Sequence, residues 1–476
     1  MTLLSKTDFL WYLDAPMHLW ASAHNQLEDK SHSLYEQHLL QQGQQVEALA
    51  RKFIEQVLLP AYADAQLFWQ PSYDDGDFEI RADALIFDRE AEVYDLYEIK
   101  SSTSVKTKHE YDLAFQVLLL EQILNLRHIH IIHIDKTYSN GKSLDLSSFF
   151  AVEEVSEQVD GRREDVGRWR KDALAVLHMD TPVPSFACTK PQSCPCPSLC
   201  HPNLPESPVY NIPYIGKKAI QLREMGITAI EDIPPDFNLN IKQRKHFQAV
   251  KTGKAIIDQD AIKQSLSELE YPLHFLDYET FNPAIPLFTG YHPYEHIVFQ
   301  YALFILNDPE AEPQHFDFLI TDSIDPAPEI VPNLLGNLHP EGSVIVWNKH
   351  FEAGRNSDLA GHCPEYRHQL MGINNRLFDL MLIFKDGHYV HPEFHGSASL
   401  KAVLPVLCPD LRYDSLAISN GEEAMMTWYW LQTGEVSDQE RAKLEAAMKI
   451  YCQRDTYGMV AIWRQLSKFL RSNNGS

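Results

Sequence analysis

A nine-residue run with two acidic side chains constrains the C-terminal half of this chain more than any other feature. The run Leu273–Phe281 is typical of a β-strand, and it carries Asp277 and Glu279 separated by one residue. Because side chains alternate along a strand, both carboxylates point to the same face. The run therefore supplies one side of a candidate metal site.

A matching acidic position lies far along the chain, in the run Tyr451-Cys452-Gln453-Arg454-Asp455. This run predicts a helix on which Tyr451 and Asp455 lie one turn apart on one face. Carboxylates that converge from a strand and a distant helix are what two adjacent divalent metals require. Such a metal pair holds the attacking and leaving oxygens of a phosphodiester. The two runs together indicate hydrolysis of phosphodiesters with Mg²⁺ or Mn²⁺.

A middle carboxylate is expected after a second strand. The run Ser343–Asn348 predicts that strand, and Glu352 follows it as the favoured candidate. Asp379 is the competing candidate. Tyr451 is a poor base at neutral pH, so its predicted role is to orient the attacking water.

Length and charge limit the class of protein. At 476 residues the chain is too long for one core, and two or three domains are expected. The formal net charge of −25 argues against loose, nonspecific binding along a phosphate backbone, although a local basic groove is compatible with it. There is no apolar run long enough to span a bilayer, and residues 1–13 are unlike a secretory signal. No membrane partner and a cytoplasmic location are therefore expected.

The N-terminal half carries a second acidic arrangement. Asp83 lies in a predicted strand over 79–87, and Glu98 and Lys100 share one face at the end of the next predicted strand. Carboxylate oxygens can hold a divalent metal. A lysine beside them can orient water and stabilise developing phosphate charge. The set therefore predicts a second metal site.

Two predicted helices flank these strands. The helix over 39–58 carries Glu47, which could reach the same metal, and the helix over 105–126 carries Gln116. Helices and strands that alternate in this way predict an α/β core.

Four of the seven cysteines lie between residues 188 and 200. In a chain without a secretory signal, such a cluster indicates metal binding rather than disulfide bonds. Four thiolates can hold an iron–sulphur cluster or a zinc ion, and His201 is a substitute ligand. The predicted ligands are Cys188, Cys194, Cys196 and Cys200.

The set Asp83, Glu98 and Lys100 resembles the PD-(D/E)XK nucleases of the RecB type. The resemblance implies that these three residues are catalytic. It also implies supporting roles for Glu47, where many members have a histidine ligand, and for Gln116.

The cysteine segment resembles the iron–sulphur branch of these nucleases, which includes the CRISPR-adaptation exonucleases. In that branch, one cysteine near the N-terminus joins three that follow the nuclease core. The run Ala15–Trp20 resembles the N-terminal segment, but Ala15 stands where the cysteine is expected. The resemblance implies a [4Fe–4S] cluster with Cys196 as the fourth ligand, or a cluster that has been replaced or lost; Zn²⁺ is the alternative metal.

The C-terminal runs resemble the DnaQ-like 3′-to-5′ exonucleases of the DEDD type, in the subgroup with a tyrosine in the last motif. A glutamate stands where the second motif usually has an aspartate. The metal-binding residues implied by this resemblance are Asp277, Glu279, Glu352 and Asp455. Residues 293–302 and 396–405 also resemble an uncharacterised bacterial domain of the RNase H-like superfamily, which is often fused behind a RecB-like nuclease.

The expected architecture is α/β, with a restriction-endonuclease-like core and cysteine cluster, a short helical linker and an RNase H-like core. Four segments are predicted: a RecB-like domain over 1–184, a cysteine segment over 185–204, a linker resembling a helix-hairpin-helix over 205–264 and an RNase H-like DEDD-type domain over 265–470.

The expected function is a metal-dependent nuclease with two candidate active sites, acting in DNA repair or in defence against foreign DNA. DNA is favoured over RNA as the partner. One alternative is a nucleic-acid-binding scaffold in which one or both cores have lost catalysis. Another is an iron–sulphur or metal-sensing protein in which the cysteines are functional.

Overall fold

The structure is a computed structural model that describes residues 2–28, 33–182, 185–434 and 436–471. The described residues form helices and mixed sheets, which confirms the α/β class predicted from the sequence. No helix in these ranges combines the length and apolar character needed to cross a bilayer.

The chain divides into two compact units, and both are discontinuous in sequence. Unit 1 comprises Met1–Asn203 and Pro283–Tyr294. Unit 2 comprises Leu204–Asn282 and Glu295–Ser476. The first division lies one residue before the predicted end of the cysteine segment.

Unit 1 contains eight strands and eight α-helices among its described residues. The strands are β1 (Leu4–Ser5), β2 (Ala65–Trp69), β3 (Ser72–Asp74), β4 (Phe78–Arg81), β5 (Ala84–Asp88), β6 (Val93–Lys100), β7 (Leu126–Ile134) and β8 (Phe150–Glu154). The helices are α1 (Lys6–Asp14), α2 (Pro16–Ala23), α3 (Leu34–Phe53), α4 (Thr107–Leu120), α5 (Leu146–Phe149), α6 (Ser156–Asp160), α7 (Arg163–Leu177) and α8 (Pro197–Cys200).

The main sheet of unit 1 has the strand order β2-β5-β6-β7-β8, in which only β6 and β7 are parallel. Alternate residues face opposite sides, so Leu85 packs in the core beneath α4 while Ile86 packs in the core beneath α3. A smaller sheet has the order β1-β4-β3.

The single strand predicted over 79–87 is wrong in its middle. The chain leaves the smaller sheet after β4 and enters the main sheet at β5, so Ala82 and Asp83 lie between two strands of different sheets. An alternating pattern continues through such a crossing because it reports which side is buried, not which strand is the partner. The crossing places Asp83 at the junction of the two sheets.

The segment Pro283–Tyr294 is part of the packed interior of unit 1. Ala284 is fully buried in the core beneath α3, and its backbone N–H donates to Gln42 Oε1 at 2.6 Å. The hydroxyl of Tyr294 donates to the carbonyl oxygen of Ser101. This distant stretch of sequence therefore completes the unit 1 core.

Unit 2 contains seven strands and ten α-helices among its described residues. The strands are β9 (Ile256–Ile257), β10 (Leu273–Phe281), β11 (Ile297–Leu306), β12 (Gln314–Leu319), β13 (Val344–Val346), β14 (Leu377–Asp379) and β15 (Tyr389–Val390). The helices are α9 (Lys217–Glu224), α10 (Ile241–Thr252), α11 (Gln259–Leu266), α12 (Ala327–Asn337), α13 (Lys349–His362), α14 (Arg367–Asn375), α15 (Leu382–Lys385), α16 (Leu400–Leu407), α17 (Gly421–Thr433) and α18 (Asp438–Arg471).

The main sheet of unit 2 has the order β12-β11-β10-β13-β14. Strands β10, β11 and β12 are antiparallel neighbours, whereas β13 and β14 run parallel to β10. The carboxyl ends of β10, β13 and β14 therefore meet at one edge, which is where ligands bind in open α/β sheets.

Candidate metal sites

Strand β10 and helix α18 bring acidic side chains together at this edge of unit 2. Asp277 is partly exposed and Glu279 is buried, and both follow the last β10 residue that pairs with β13. An oxygen of each carboxylate and the Sγ atom of Cys452 on α18 lie within 4.8 Å of one another. Asp455, one turn further along α18, is also buried. The structure thus gathers the strand and helix residues that the sequence predicted to meet.

Glu352 faces the same cluster from the first turn of α13. The side chain of Asn348 caps this helix by accepting from the backbone N–H of Phe351, as expected for an N-cap asparagine. Glu352 is only 3 % exposed. Within the described parts of the chain, its Oε2 atom and Asp455 Oδ1 have no hydrogen-bond partner. Buried, unpartnered carboxylate oxygens are what a bound cation would satisfy.

The competing candidate, Asp379, has a different setting at the end of β14. Its carboxylate accepts from the backbone N–H groups of Lys349 and Met381 at 3.1 Å each. Asp379 therefore fixes the start of α13 and the turn after β14. Besides burial, the charge of Asp277 raises the pKa of Glu352, and the charge of Asp379 adds a smaller rise. Glu352 is therefore the candidate that interacts with Asp277.

Burial raises the pKa of all four clustered carboxyls above their ordinary values. Mutual repulsion adds to this effect: Asp455 raises the pKa of Asp277, and Asp277 raises those of Glu279 and Glu352. A divalent cation would remove both penalties at once. The donor set therefore fits Mg²⁺ or Mn²⁺, which prefer oxygen ligands.

Two further side chains, Lys401 and Tyr413, lie at this cluster and were absent from the sequence prediction. Lys401 Nζ lies 5.3 Å from the ring centroid of Tyr451 and 5.6 Å from that of Tyr413. Its charge opposes the rise in the pKa values of Asp277 and Glu279. The stretch 396–405, which contains Lys401, was recognisable as a family motif, but its spacing carried no sign of a metal ligand.

In unit 1, the sheet crossing places Asp83 beside Glu98. The backbone N–H of Ile99 donates to Asp83 Oδ2 at 2.8 Å. Burial and then the charge of Glu98 raise the pKa of Asp83 to about 7. Asp83 also lines a cavity of about 410 Å³. The predicted pair is therefore adjacent, with one member facing open space.

Lys100 and Gln116 both contact Glu98, as the nuclease resemblance implies. Lys100 Nζ donates to Glu98 Oε1 at 2.8 Å, and Gln116 Nε2 donates to Glu98 Oε2 at 3.0 Å. Both side chains also bind Asp112 on α4, at 2.8 and 3.2 Å. Asp112 was missed because it forms no short motif with Glu98 in the sequence.

A second lysine reaches this site from the N-terminus. Lys6, the first residue of α1, places its Nζ atom 2.9 Å from Glu98 Oε1. Burial alone would raise the pKa of Glu98, but the charges of Lys100 and Lys6 lower this pKa to about 2. Glu98 is therefore held ionised by two ammonium groups.

Glu47 is engaged elsewhere. Its Oε1 atom accepts from Arg51 at 2.8 Å and from Gln70 at 3.2 Å. Over the described ranges, no three of the predicted unit 1 ligand atoms lie within 4.8 Å of one another. Gln70 lines the same cavity as Asp83, so Glu47 borders the site without joining a group of ligands.

The cysteine segment forms a third cluster, and its fourth member is a histidine. The ligand atoms of His18, Cys188, Cys194 and Cys200 all lie within 4.8 Å of one another, and all four residues are buried. His18 Nε2 is 3.5 Å from Cys194 Sγ, while its Nδ1 is 2.7 Å from Asp14 Oδ2. A carboxylate behind an imidazole is the usual arrangement at histidine metal ligands.

Cys196 is the predicted ligand that stands outside this group of four. Its Sγ lies 3.6 Å from Cys200 Sγ, and His201 Nε2 lies 3.3 Å from Cys188 Sγ. Ala15 is buried in the same cluster, three residues before His18. The N-terminal segment therefore reaches the cysteines as the resemblance implies, but with His18 as its donor.

Comparisons with known proteins show that part of the chain is similar to a family without an assigned role. Residues 274–399 match the family described as a domain of unknown function, DUF2779. An uncharacterized protein of Mycoplasma pneumoniae is 25% identical over 245 residues, which cover 47% of this chain and 37% of that protein. An uncharacterized protein of Ureaplasma parvum serovar 3 is 23% identical over 283 residues, covering 55% and 41%. The chain thus spans about two fifths of these relatives. No solved structure gives a significant match.

Proposed function

We propose that this chain is a metal-dependent nuclease whose principal active site is the carboxylate cluster of unit 2. One observation carries the proposal: four acidic side chains from β10, α13 and α18 converge at the carboxyl edge of a sheet. Among the residues that the structure describes, two of their buried oxygens, Glu352 Oε2 and Asp455 Oδ1, have no hydrogen-bond partner. A structural role would be expected to pair these oxygens with donors. The matched family segment contains three of the four: Asp277, Glu279 and Glu352.

Each residue has a part in phosphodiester hydrolysis. Asp277, Glu279, Glu352 and Asp455 would hold Mg²⁺ or Mn²⁺, which supplies charge stabilisation for the attacking and leaving oxygens. Burial and the nearby Glu279 charge raise the pKa of Tyr451. Its hydroxyl therefore stays protonated and orients water rather than removing its proton. Lys401 places positive charge beside the developing phosphate charge.

The sheet of unit 2 supports the RNase H-like, DEDD-type assignment. The acidic strand β10 is central, between an antiparallel pair and two parallel strands. Asp277 and Asp455 come from the first strand of that sheet and the last helix of the described chain, which is the order the exonuclease resemblance implies.

The unit 1 site is a second candidate nuclease centre of the RecB type. Asp83, Glu98, Lys100 and Gln116 are adjacent, as that chemistry requires. Lys6 favours the alternative of a nucleic-acid-binding scaffold, because a second ammonium group neutralises Glu98 where a metal ligand is expected. DNA is the favoured substrate of either site, and repair or defence against foreign DNA is the favoured role.

For the cysteine site we propose one tetrahedral zinc ion rather than the [4Fe–4S] cluster that the resemblance implies. Zinc bonds of about 2.3 Å to sulphur and about 2.0 Å to nitrogen place neighbouring ligand atoms about 3.6 Å apart. The observed His18 Nε2 to Cys194 Sγ distance of 3.5 Å agrees with this value. Thiolates of a [4Fe–4S] cluster bind different irons and must lie farther apart than ligands of a single ion.

The test of the nuclease proposal is Mn²⁺-dependent degradation of labelled single-stranded DNA and RNA by the full chain. Activity that disappears with Asp277→Asn and persists with Lys100→Ala assigns catalysis to unit 2 and leaves unit 1 as a scaffold. Activity unaffected by both substitutions would overturn the proposal.

Lys401→Met is expected to lower the turnover number about a hundredfold, because it removes positive charge from the site of phosphate charge development. Lys401 is exposed, so the fold should change little. Turnover and Mn²⁺ titration would be measured together, with Lys401→Arg as the charge-retaining control. A normal turnover number for Lys401→Met would remove Lys401 from the mechanism.

The effect of Mn²⁺ on thermal unfolding is expected to grow with pH. The pKa values of Asp277, Glu279 and Asp455 are raised in the folded chain, so metal-free stability falls as pH rises through those values. Mn²⁺ binds the ionised carboxylates and reverses this loss. Unfolding temperatures with and without Mn²⁺ at about pH 5.5 and about pH 8 would show it. Equal stabilisation at both pH values would contradict the cluster as the binding site.

A further inference from the structure

A cavity of about 350 Å³ lies in unit 2, between α15 and the loops that precede α9 and α16. The loop Gly396–Ser399 forms one part of its wall, and aromatic rings from the segment after α15 form another. Tyr214, from the loop before α9, lies at the rim with 76 % of its surface exposed. The volume is near the lower end for small-ligand sites, so it suits one ring system rather than an extended chain.

Two chain segments join this cavity directly to the candidate active site. Ser399 lines the cavity and precedes α16, which places Lys401 over the Tyr451 ring. Met381 also lines the cavity, and its backbone N–H donates to Asp379 near Glu352. A strand whose phosphodiester lies at the carboxylates could therefore extend one of its nucleotides toward the cavity.

The lining combines flat apolar surfaces with a few polar groups. The ring of Phe384 lies 5.9 Å from that of Tyr389 and 5.8 Å from that of Phe394. Burial lowers the pKa of His246 to about 4, so its neutral ring offers one donor and one acceptor. Ser397 adds a hydroxyl group. This mixture matches a nucleobase, which has two apolar faces and a polar edge.

The backbone holds Tyr214 in an unusual conformation. Its φ angle is +54°, a left-handed value that costs a non-glycine residue about 1 kcal/mol or more. The Gln243 amide donates to the carbonyl oxygens of Pro213 and Tyr214, at 3.2 and 3.1 Å. A Cβ atom on Gly396 would lie 1.6 Å from the Asn211 carbonyl oxygen, so the two loops touch. The backbone at Tyr214 is therefore held in place at the rim of the cavity, and its ring remains exposed to solvent.

We propose that this cavity is a subsite for one unpaired nucleobase, which stacks on Tyr214 while its strand lies across the carboxylate cluster. The proposal deepens the proposed function and rests on it. Stacking on aromatic rings is how proteins hold single strands without reading their sequence. The net charge of −25 gives little general attraction for phosphates. A stacking contact next to the active site would supply affinity that the chain otherwise lacks.

The experiment is a double-mutant cycle between Tyr214 and the base. Binding of a fluorescein-labelled single-stranded oligodeoxynucleotide with Mn²⁺ would be measured by anisotropy in an Asp277→Asn background, so that no cleavage occurs. An abasic residue would replace each of the last four nucleotides in turn. We expect one abasic position to weaken binding about tenfold, and Tyr214→Ala to weaken binding of the intact strand by a similar factor. Tyr214→Ala combined with the abasic residue at that position should weaken binding no more than either change alone.

The proposal is overturned if the two effects multiply at every position, or if Tyr214→Ala leaves binding unchanged. Tyr214→Trp should restore stacking, and Met225→Ala, at another exposed apolar position of unit 2, should leave binding intact. Cleavage by the wild-type chain tests the proposed function separately. Cleavage without coupling between Tyr214 and a base rejects the subsite alone.

Discussion

Asp277→Asn is expected to reduce Mn²⁺-dependent cleavage of single-stranded DNA by about a thousandfold or more. The substitution removes the negative charge of Asp277, which is partly exposed, whereas the other three carboxylates of the cluster are buried. Asparagine keeps the shape of the side chain but holds a divalent cation poorly. Initial rates on a labelled oligonucleotide, at several Mn²⁺ concentrations, would measure the loss. Asp455→Asn should behave in the same way, since Asp455 faces Asp277 from α18.

Stability separates this effect from damage to the fold. Asp277 and Asp455 repel one another in the metal-free chain, so Asp277→Asn should unfold at the same or a higher temperature. An inactive variant that is at least as stable as the wild type is the expected result. Asp410→Asn, at an exposed position of unit 2, is the matched control and should retain activity. Full cleavage activity of the Asp277→Asn variant would exclude unit 2 as the catalytic centre.

His18→Ala is expected to remove bound zinc and to destabilise unit 1 by several kcal/mol, because metal binding free energy is also folding free energy. The ion would join the N-terminal segment to residues near Cys200, so its loss removes a link between distant parts of the folded unit 1. Zinc content by mass spectrometry of the metal, and unfolding of the purified chain in urea, would measure both effects. Cys194→Ser should give the same result.

Two variants make this prediction specific. Cys196→Ser should keep the metal, because Cys196 lies outside the group of four. His18→Cys should also keep it, because a thiolate can replace the imidazole in a tetrahedral site. Iron with acid-labile sulphide in the wild-type chain would contradict the zinc proposal. Metal-free protein with unchanged stability would contradict a structural metal altogether.

Local patterns in the sequence predicted much of the unit 2 site. The strand predicted over Leu273–Phe281 has the same bounds as β10. The spacing of Tyr451 and Asp455 places them on one face of α18. The side-chain periods of strands and of helices are both properties of the backbone itself. Features that depend on a single element were therefore accessible without a structure.

Features that depend on which element a strand or helix packs against could not be predicted from the sequence. The strand through Asp83 changes sheets, although the hydrophobic pattern continues through the crossing. Lys6, Lys401 and His18 enter their sites only through tertiary packing, and none stands at a spacing that a metal or catalytic motif would predict. The N-terminal segment was expected to contribute a cysteine at position 15, whereas the side chain that reaches the cluster is His18, three residues later.

The discontinuity of unit 1 bears on how the two candidate nucleases can be dissected. A polypeptide truncated after Asn203 would lack Pro283–Tyr294, and with it the buried Ala284 that fills the interior beneath α3. An inactive or aggregated truncation would then report a missing piece of core and not a missing chemistry. Cutting the gene between the halves is thus a poor way to allocate catalysis, and silencing one centre at a time in the intact polypeptide is the sounder route.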